Sequence, residues 1–95
     1  MATFLLIYDV VDDYVERRAP LRARHLALAR AARERGDLVM AGAYGDPIVG
    51  AVLVFRAEDA STADDFARQD PYVTEGLVTA WRVHPWNEVL VTETS

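Results

Sequence analysis

Two segments constrain this chain more than any others. "TFLLIYDVV" (residues 3–11) and "AVLVFRA" (residues 51–57) are rich in β-branched and aromatic residues, and both are apolar on both faces. Each reads as a strand that needs cover above and below. The segments between them supply only part of that cover. "PLRARHLALARAARERG" (residues 20–36) carries Leu21, Leu28, Ala29 and Ala32 on one helical face. Pro20 suits a helix start and Gly36 a helix stop, while the polar "DDYVERRA" before it reads as an irregular lead-in. "DLVMAGAY" is a strand, and "GDPIVG" a turn with Pro47 at its corner. A second helix recurs through Ala63, Phe66, Ala67 and Asp70, with Ser61 and Asp64 as a weak capping box and Pro71 as its end. "LVTAWRVHPW" is the last long strand, with Leu77, Thr79, Trp81 and Val83 on one side. Val89 to Val91 add a short strand in this reading.

The order is β-α-β-β-α-β, which predicts a ferredoxin-like α+β sandwich, an antiparallel sheet with both helices on one face. The helices then leave the other sheet face open. An open apolar face of this size predicts a homodimer with two sheets packed face to face. With 95 residues, a single domain spanning 1–95 is expected. No cysteine is present, which excludes disulfides and thiolate chemistry and fits a reducing cytoplasm, the expected location. "FLLIY" is too short to span a bilayer, so no membrane anchor is expected.

The net charge of −5 argues against nucleic acid, because phosphate contacts need an attractive field. Against that acidic background, Arg17, Arg18, Arg22, Arg24, Arg30, Arg33 and Arg35 cluster around one helix. The plain expectation is that they pair with the protein's own carboxylates. The sharper one is that Arg18 and Arg22 hold an anionic small molecule.

Only two histidines exist to carry acid–base chemistry. His84 reads as a solvated strand-end residue. His25 sits on the apolar stripe of its helix and points inward, as a core histidine or as the wall of a pocket. Asp70 continues the inward series of the second helix, at a C-terminus where the backbone dipole disfavours a carboxylate. It needs a cation or donor, and His25, Arg22 and Arg18 are the candidates. It equally suits a cap on the turn that follows. A His–Asp pair fixes an imidazole for proton transfer. Nothing in the sequence supplies a serine or cysteine nucleophile, a phosphate-cradling glycine loop or a metal-ligand cluster, and no cofactor is expected. Asp9, interrupting the first strand on the face of Leu5 and Ile7, lies at an open strand end or lines a pocket. Tyr8 and Tyr72 would offer hydroxyls, with core packing as the plainer expectation for both. Trp81 and Trp86 read as packing residues of the core or dimer face.

"RARHL" at residues 22–26, "AG" at Ala41 and Gly42, and "DPYVTEGL" at residues 70–77 occur in order across the chain. This set resembles the YciI-like (YCII-related domain) family from Phe4 to about Leu90. Arg24 beside the histidine, and "AYGDP" after "AG", depart from the family's usual pattern. The resemblance implies a dimeric α+β barrel and an active site on His25 and Asp70. It also implies largely unassigned reactions, one branch removing chloride from a chlorinated hydroxyhydroquinone. Two functions follow as expectations. One is a cofactor-independent enzyme of lyase or isomerase type acting on a small aromatic or anionic molecule. The other is a non-catalytic dimeric module that binds a small ligand or a partner protein.

Overall fold

A computed structural model describes residues 1–92. The strands are β1 (Ala2–Val10), β2 (Leu38–Tyr44), β3 (Gly50–Ala57) and β4 (Val78–Trp86); the helices are α1 (Tyr14–Arg18), α2 (Arg22–Glu34), α3 (Ser61–Gln69) and α4 (Pro71–Thr74). The sheet runs β2-β3-β1-β4, and every neighbouring pair is antiparallel. This is the ferredoxin-like α+β sandwich, the protomer fold of the dimeric α+β barrels. β1, apolar on both faces, occupies the centre. Its register places Leu6 opposite Leu53 and Val83, and Tyr8 opposite Ala51 and Trp81. Strand alternation therefore gathers Phe4, Leu6, Tyr8, Leu53 and Phe55, all buried, on the helix-facing side. Phe66 of α3 meets Phe55 edge-on at 5.3 Å between ring centres.

The opposite face carries Leu5, Ile7 and Val52, each half-buried, with Met40, Tyr44 and Trp86 exposed around them. No helix covers it. Beyond β4 the chain instead runs across this face, where Thr3 donates its hydroxyl to Glu88, Arg56 pairs with the same carboxylate at 3.5 Å, and residues 88–92 border a hollow with Met40, Val54 and Trp86.

The helices α2 and α4 each stop at a left-handed glycine. Gly36 has φ +84° and Gly76 φ +82°. In each case the amide one residue later reaches back to close the helix, Asp37 to the Ala32 carbonyl and Leu77 to the Tyr72 carbonyl, both at 3.0 Å.

Four local expectations are corrected. "DDYVERRA" is not an irregular lead-in, because it forms α1. Its single aromatic, Tyr14, is buried and packs edge-on against Tyr72 at 5.6 Å, which fixes the turn. Pro20 opens a 3₁₀ turn over Ala19–Leu21, and the α-helix itself starts at Arg22. Ser61 does not cap α3; the Asp59 carboxylate accepts the Ser61 amide at 2.9 Å instead. Val89 to Val91 form no strand and lie largely exposed, since β1 already has both its neighbours.

Candidate functional site

The site is built around one carboxylate. The proline at 71 forces Asp70 into extended geometry, with φ −67° and ψ 122°, so α3 ends there. The same residue starts α4, its side chain accepting the Tyr72 amide at 3.0 Å. The two readings of "DP", an inward carboxylate and a cap, are both realised by one side chain. Asp70 has no exposed surface. A buried carboxylate must be matched by donors, and three converge on it. Tyr72 N–H and His25 Nδ1 (2.9 Å) share Oδ1, and the Tyr8 hydroxyl donates to Oδ2 at 2.8 Å. β1, α2 and α4 are thereby joined at one point.

This arrangement sets the orientation of His25. Its Nδ1 faces an acceptor already taking a backbone N–H, so Nδ1–H donates and Nε2 is left for the cavity that the ring helps to line. The imidazole lies flat on the Tyr72 ring, with centres 3.9 Å apart and planes 6° from parallel. Tyr14 braces Tyr72 from its edge, and the Arg18 guanidinium lies 5.2 Å from the centre of the Tyr14 ring. The cavity has a volume of about 160 Å³ and sits between α2 and the β2–β3 half of the sheet. Arg18 and Arg22 flank it, Ala51 and Leu53 form its floor, and the small side chains of Ala41 and Ala43 leave it open toward β2.

The structure sorts the remaining candidates. Arg18 and Arg22 do border the cavity. The expected pairing of the arginines with carboxylates holds for Arg17 with Asp13 and Arg35 with Asp37. It does not hold for the rest: among the described residues, Arg18, Arg22, Arg24, Arg30 and Arg33 enter no ion pair. Asp9 does not join the site. Strand parity puts it with Leu5 and Ile7 on the far face of the sheet, where it pairs with Arg82 at 3.2 Å. Tyr8 does reach the cavity wall, but its hydroxyl is committed to Asp70. With that bond made, its hydroxyl proton is not free for a ligand. Among the described residues, no group of three or more histidine, cysteine, aspartate or glutamate side chains is placed to hold a metal ion.

One contributor, Tyr14, and one contact, that of Tyr72 with His25, escaped the sequence reading. Tyr14 was hidden in a polar stretch, where its being the lone aromatic was the available signal. The stacking of Tyr72 on His25 had no sequence signal, because it depends on how α2 and α4 meet. The Tyr72 hydroxyl is buried and has no hydrogen-bond partner among the described residues.

The model of the YCII-related domain matches residues 1–87, which includes every strand and helix and both members of the His25–Asp70 pair. The chain belongs to the YCII-related domain family. An uncharacterised protein of Haemophilus influenzae is 26% identical over 95 residues, covering 90% of this chain and 97% of that one. Among solved structures, 5-chloro-2-hydroxyhydroquinone dehydrochlorinase (TftG) of Burkholderia phenoliruptrix superposes with a TM-score of 0.75. It is 22% identical, with 92% of this chain and 95% of that chain covered, and was solved in complex with 2,5-dihydroxybenzoquinone. At that identity the likeness establishes the shared fold. No helix of the described residues is long and apolar enough to cross a membrane.

Tyr8 gives the site a measurable pH signature. Burial, and then the charge of Asp70 and the hydrogen bond to it, push the Tyr8 phenol well above its ordinary value of 10.0. Burial also raises Tyr14, with Arg18 opposing. A raised folded-state value means the stabilisation is complete below about pH 10 and declines above it, as the unfolded chain ionises first. Urea unfolding from pH 7 to 11 is therefore expected to show no loss from these tyrosines until the pH nears 10, and a decline beyond it. Tyr8→Phe should cost about 1.5–3 kcal/mol at pH 7, from the lost hydrogen bond to a carboxylate, and should make the alkaline decline shallower. An unchanged alkaline slope would contradict this account of Tyr8.

Proposed function

We propose that the protein is a cofactor-independent enzyme of lyase or isomerase type, in which the His25–Asp70 pair moves a proton on a small aromatic or anionic molecule. The observation that carries this reading is the wholly buried Asp70 carboxylate, bonded to His25 Nδ1 beneath a cavity flanked by two arginines without ionic partners. Substrate enters with a phenolic O–H or an acidic C–H toward Nε2. Nε2 takes the proton, the electron pair stays on the substrate, and Asp70 stabilises the imidazolium that forms. Arg18 and Arg22 offset the negative charge that develops. An anion formed at carbon expels a leaving group, with its bonding pair, from the adjacent carbon while the imidazolium gives its proton to that group or to water, which is a lyase reaction; an anion formed at the phenolic oxygen takes the proton back at a ring carbon, which is an isomerase reaction. Asp70 and Tyr8 act through His25 as positioning residues.

The ligand of the dehydrochlorinase, 2,5-dihydroxybenzoquinone, is a suitable probe, because its ring hydrogens exchange only through proton transfer at carbon. In deuterium oxide the protein should accelerate that exchange, read by mass spectrometry. His25→Ala should slow it by about a hundredfold. A second reading rests on the same carboxylate: Asp70 ties three elements together, as a staple in a non-catalytic binding module would. That reading expects His25→Ala to lower stability by about 1–3 kcal/mol and to leave exchange unaffected. The enzyme reading allows the same loss of stability, because Asp70 loses one of its three donors either way, so the two readings separate on exchange. Exchange that the wild-type protein fails to accelerate, or that survives His25→Ala, overturns the enzyme reading.

The sheet face that carries no helix among the described residues supports a further part of the proposal, a homodimer in which two such faces pack together. Half-buried Leu5, Ile7 and Val52 beside exposed Met40, Tyr44 and Trp86 form the kind of apolar surface that monomers seldom leave in water. Sedimentation at micromolar concentration should give twice the protomer mass of 10.6 kDa, and a monomer would contradict the dimer.

A further inference from the structure

The cavity beside His25 does not end at the imidazole. A second hollow, of about 430 Å³, lies along the seam between α2 and the edge strand β2. Leu26, Ala29 and Ala41 line both, so the two are one continuous groove. Its far end is flanked by Arg30 and Arg33. These two arginines, like Arg18 and Arg22 at the near end, make no ion pair among the described residues. The near end is polar and reactive, the middle is apolar and lined by small side chains, and the far end is cationic.

The charge pattern is selective. The chain carries a net charge of −5, so its acidic surface as a whole repels long polyanions. Of the arginines without ionic partners, Arg22, Arg30 and Arg33 of α2 border the groove, and Arg18 of α1 stands at its near end. From His25 to Arg33 is eight residues, or about 12 Å along the helix axis. A compact substrate filling only the cavity at His25 would leave Arg30 and Arg33 without a function in binding.

We infer that the groove takes an elongated molecule, with a reactive head at His25, an apolar body along Leu26, Ala29 and Ala41, and a terminal carboxylate or phosphate at Arg30 and Arg33. This extends the reading of His25 as the proton-transfer residue and rests on it for the identity of the head. It makes Arg30 and Arg33 specificity-determining residues outside the reacting centre. Ala41 becomes the gate between the two halves, because a larger side chain there narrows the passage.

A ladder of probes tests this: phenylacetate, 4-phenylbutyrate, 6-phenylhexanoate and 8-phenyloctanoate, with the ω-phenylalkyl phosphates of matching length. Each is titrated into isotope-labelled full-length protein, and affinities are read from NMR shifts of the His25 ring and of backbone amides in α2 and β2. Affinity should rise by about tenfold from phenylacetate to the probe that spans the groove, as two charge-assisted contacts are added. The double variant Arg30→Gln, Arg33→Gln should remove most of that gain and leave phenylacetate binding unchanged. Ala41→Leu should also remove it, without altering charge. All three positions are exposed, so the variants are expected to fold, and a thermal melt checks this. Comparison of the two series identifies which anion the far end prefers. A gain that persists in the double variant, or an absence of shifts around Arg30, Arg33 and Ala41 with every probe, overturns the groove. Length-dependent binding that never moves the His25 ring would instead count against the proton-transfer reading and leave the groove standing.

Discussion

A carboxylate with no contact to water has to be surrounded by donors, and that requirement at Asp70 organises this molecule. Each donor comes from a different place: a tyrosine of the central strand, a histidine of the long helix, and an amide of the short helix that Asp70 itself starts. Loss of one partner from a buried ionic group commonly costs more than the same group contributes when fully paired. The three elements are thus held to one mutual arrangement with little slack. The ring of Tyr72 lies under His25 for the same reason, because the amide that caps Asp70 and the ring that supports the imidazole belong to one residue.

The electrostatics follow a second division. Most of the surface is acidic, and the arginines that find carboxylates lie away from the cavity or at the ends of the helices. Those along the groove find none among the described residues. A fold seeking only solubility would gain from pairing or dispersing them. Their alignment with His25 along a single seam gives the protein one place where a small anion is attracted and a proton acceptor is already oriented. The small residues of β2, Ala41 and Ala43, matter for the same reason, since they keep open the space that bulkier side chains would fill.

Much of this was legible in the sequence because it depends on periodicity. Helical spacing placed His25 and Asp70 on inward faces, and the order of elements with two doubly apolar strands gave the sheet and its uncovered side. The glycine stop at Gly36 followed from local chemistry alone. What was not legible depends on tertiary meeting points. Strand alternation correctly put Asp9 with Leu5 and Ile7, but which face held the cavity was decided by where α2 packs. Tyr14 lies in a stretch whose polarity suggests a loop, and becomes helical because its ring has Tyr72 to pack against. The Ser61 amide is met by Asp59 because the chain turns two residues before Ser61, a shift of two positions that propensity does not resolve. Whether an arginine finds a carboxylate is likewise a question of distance between elements, to which spacing along one helix gives no answer.

The central claim is that Asp70 holds His25 with Nδ1 protonated and Nε2 open to the cavity. The most direct measurement is the tautomeric state of His25, read from the nitrogen chemical shifts and long-range nitrogen–proton couplings of its ring in labelled protein. The account predicts that the neutral ring carries its proton on Nδ1, with Nε2 showing the shift of an unprotonated nitrogen that moves when 2,5-dihydroxybenzoquinone is added. A neutral ring protonated on Nε2, or an Nε2 signal indifferent to the probe, would contradict it.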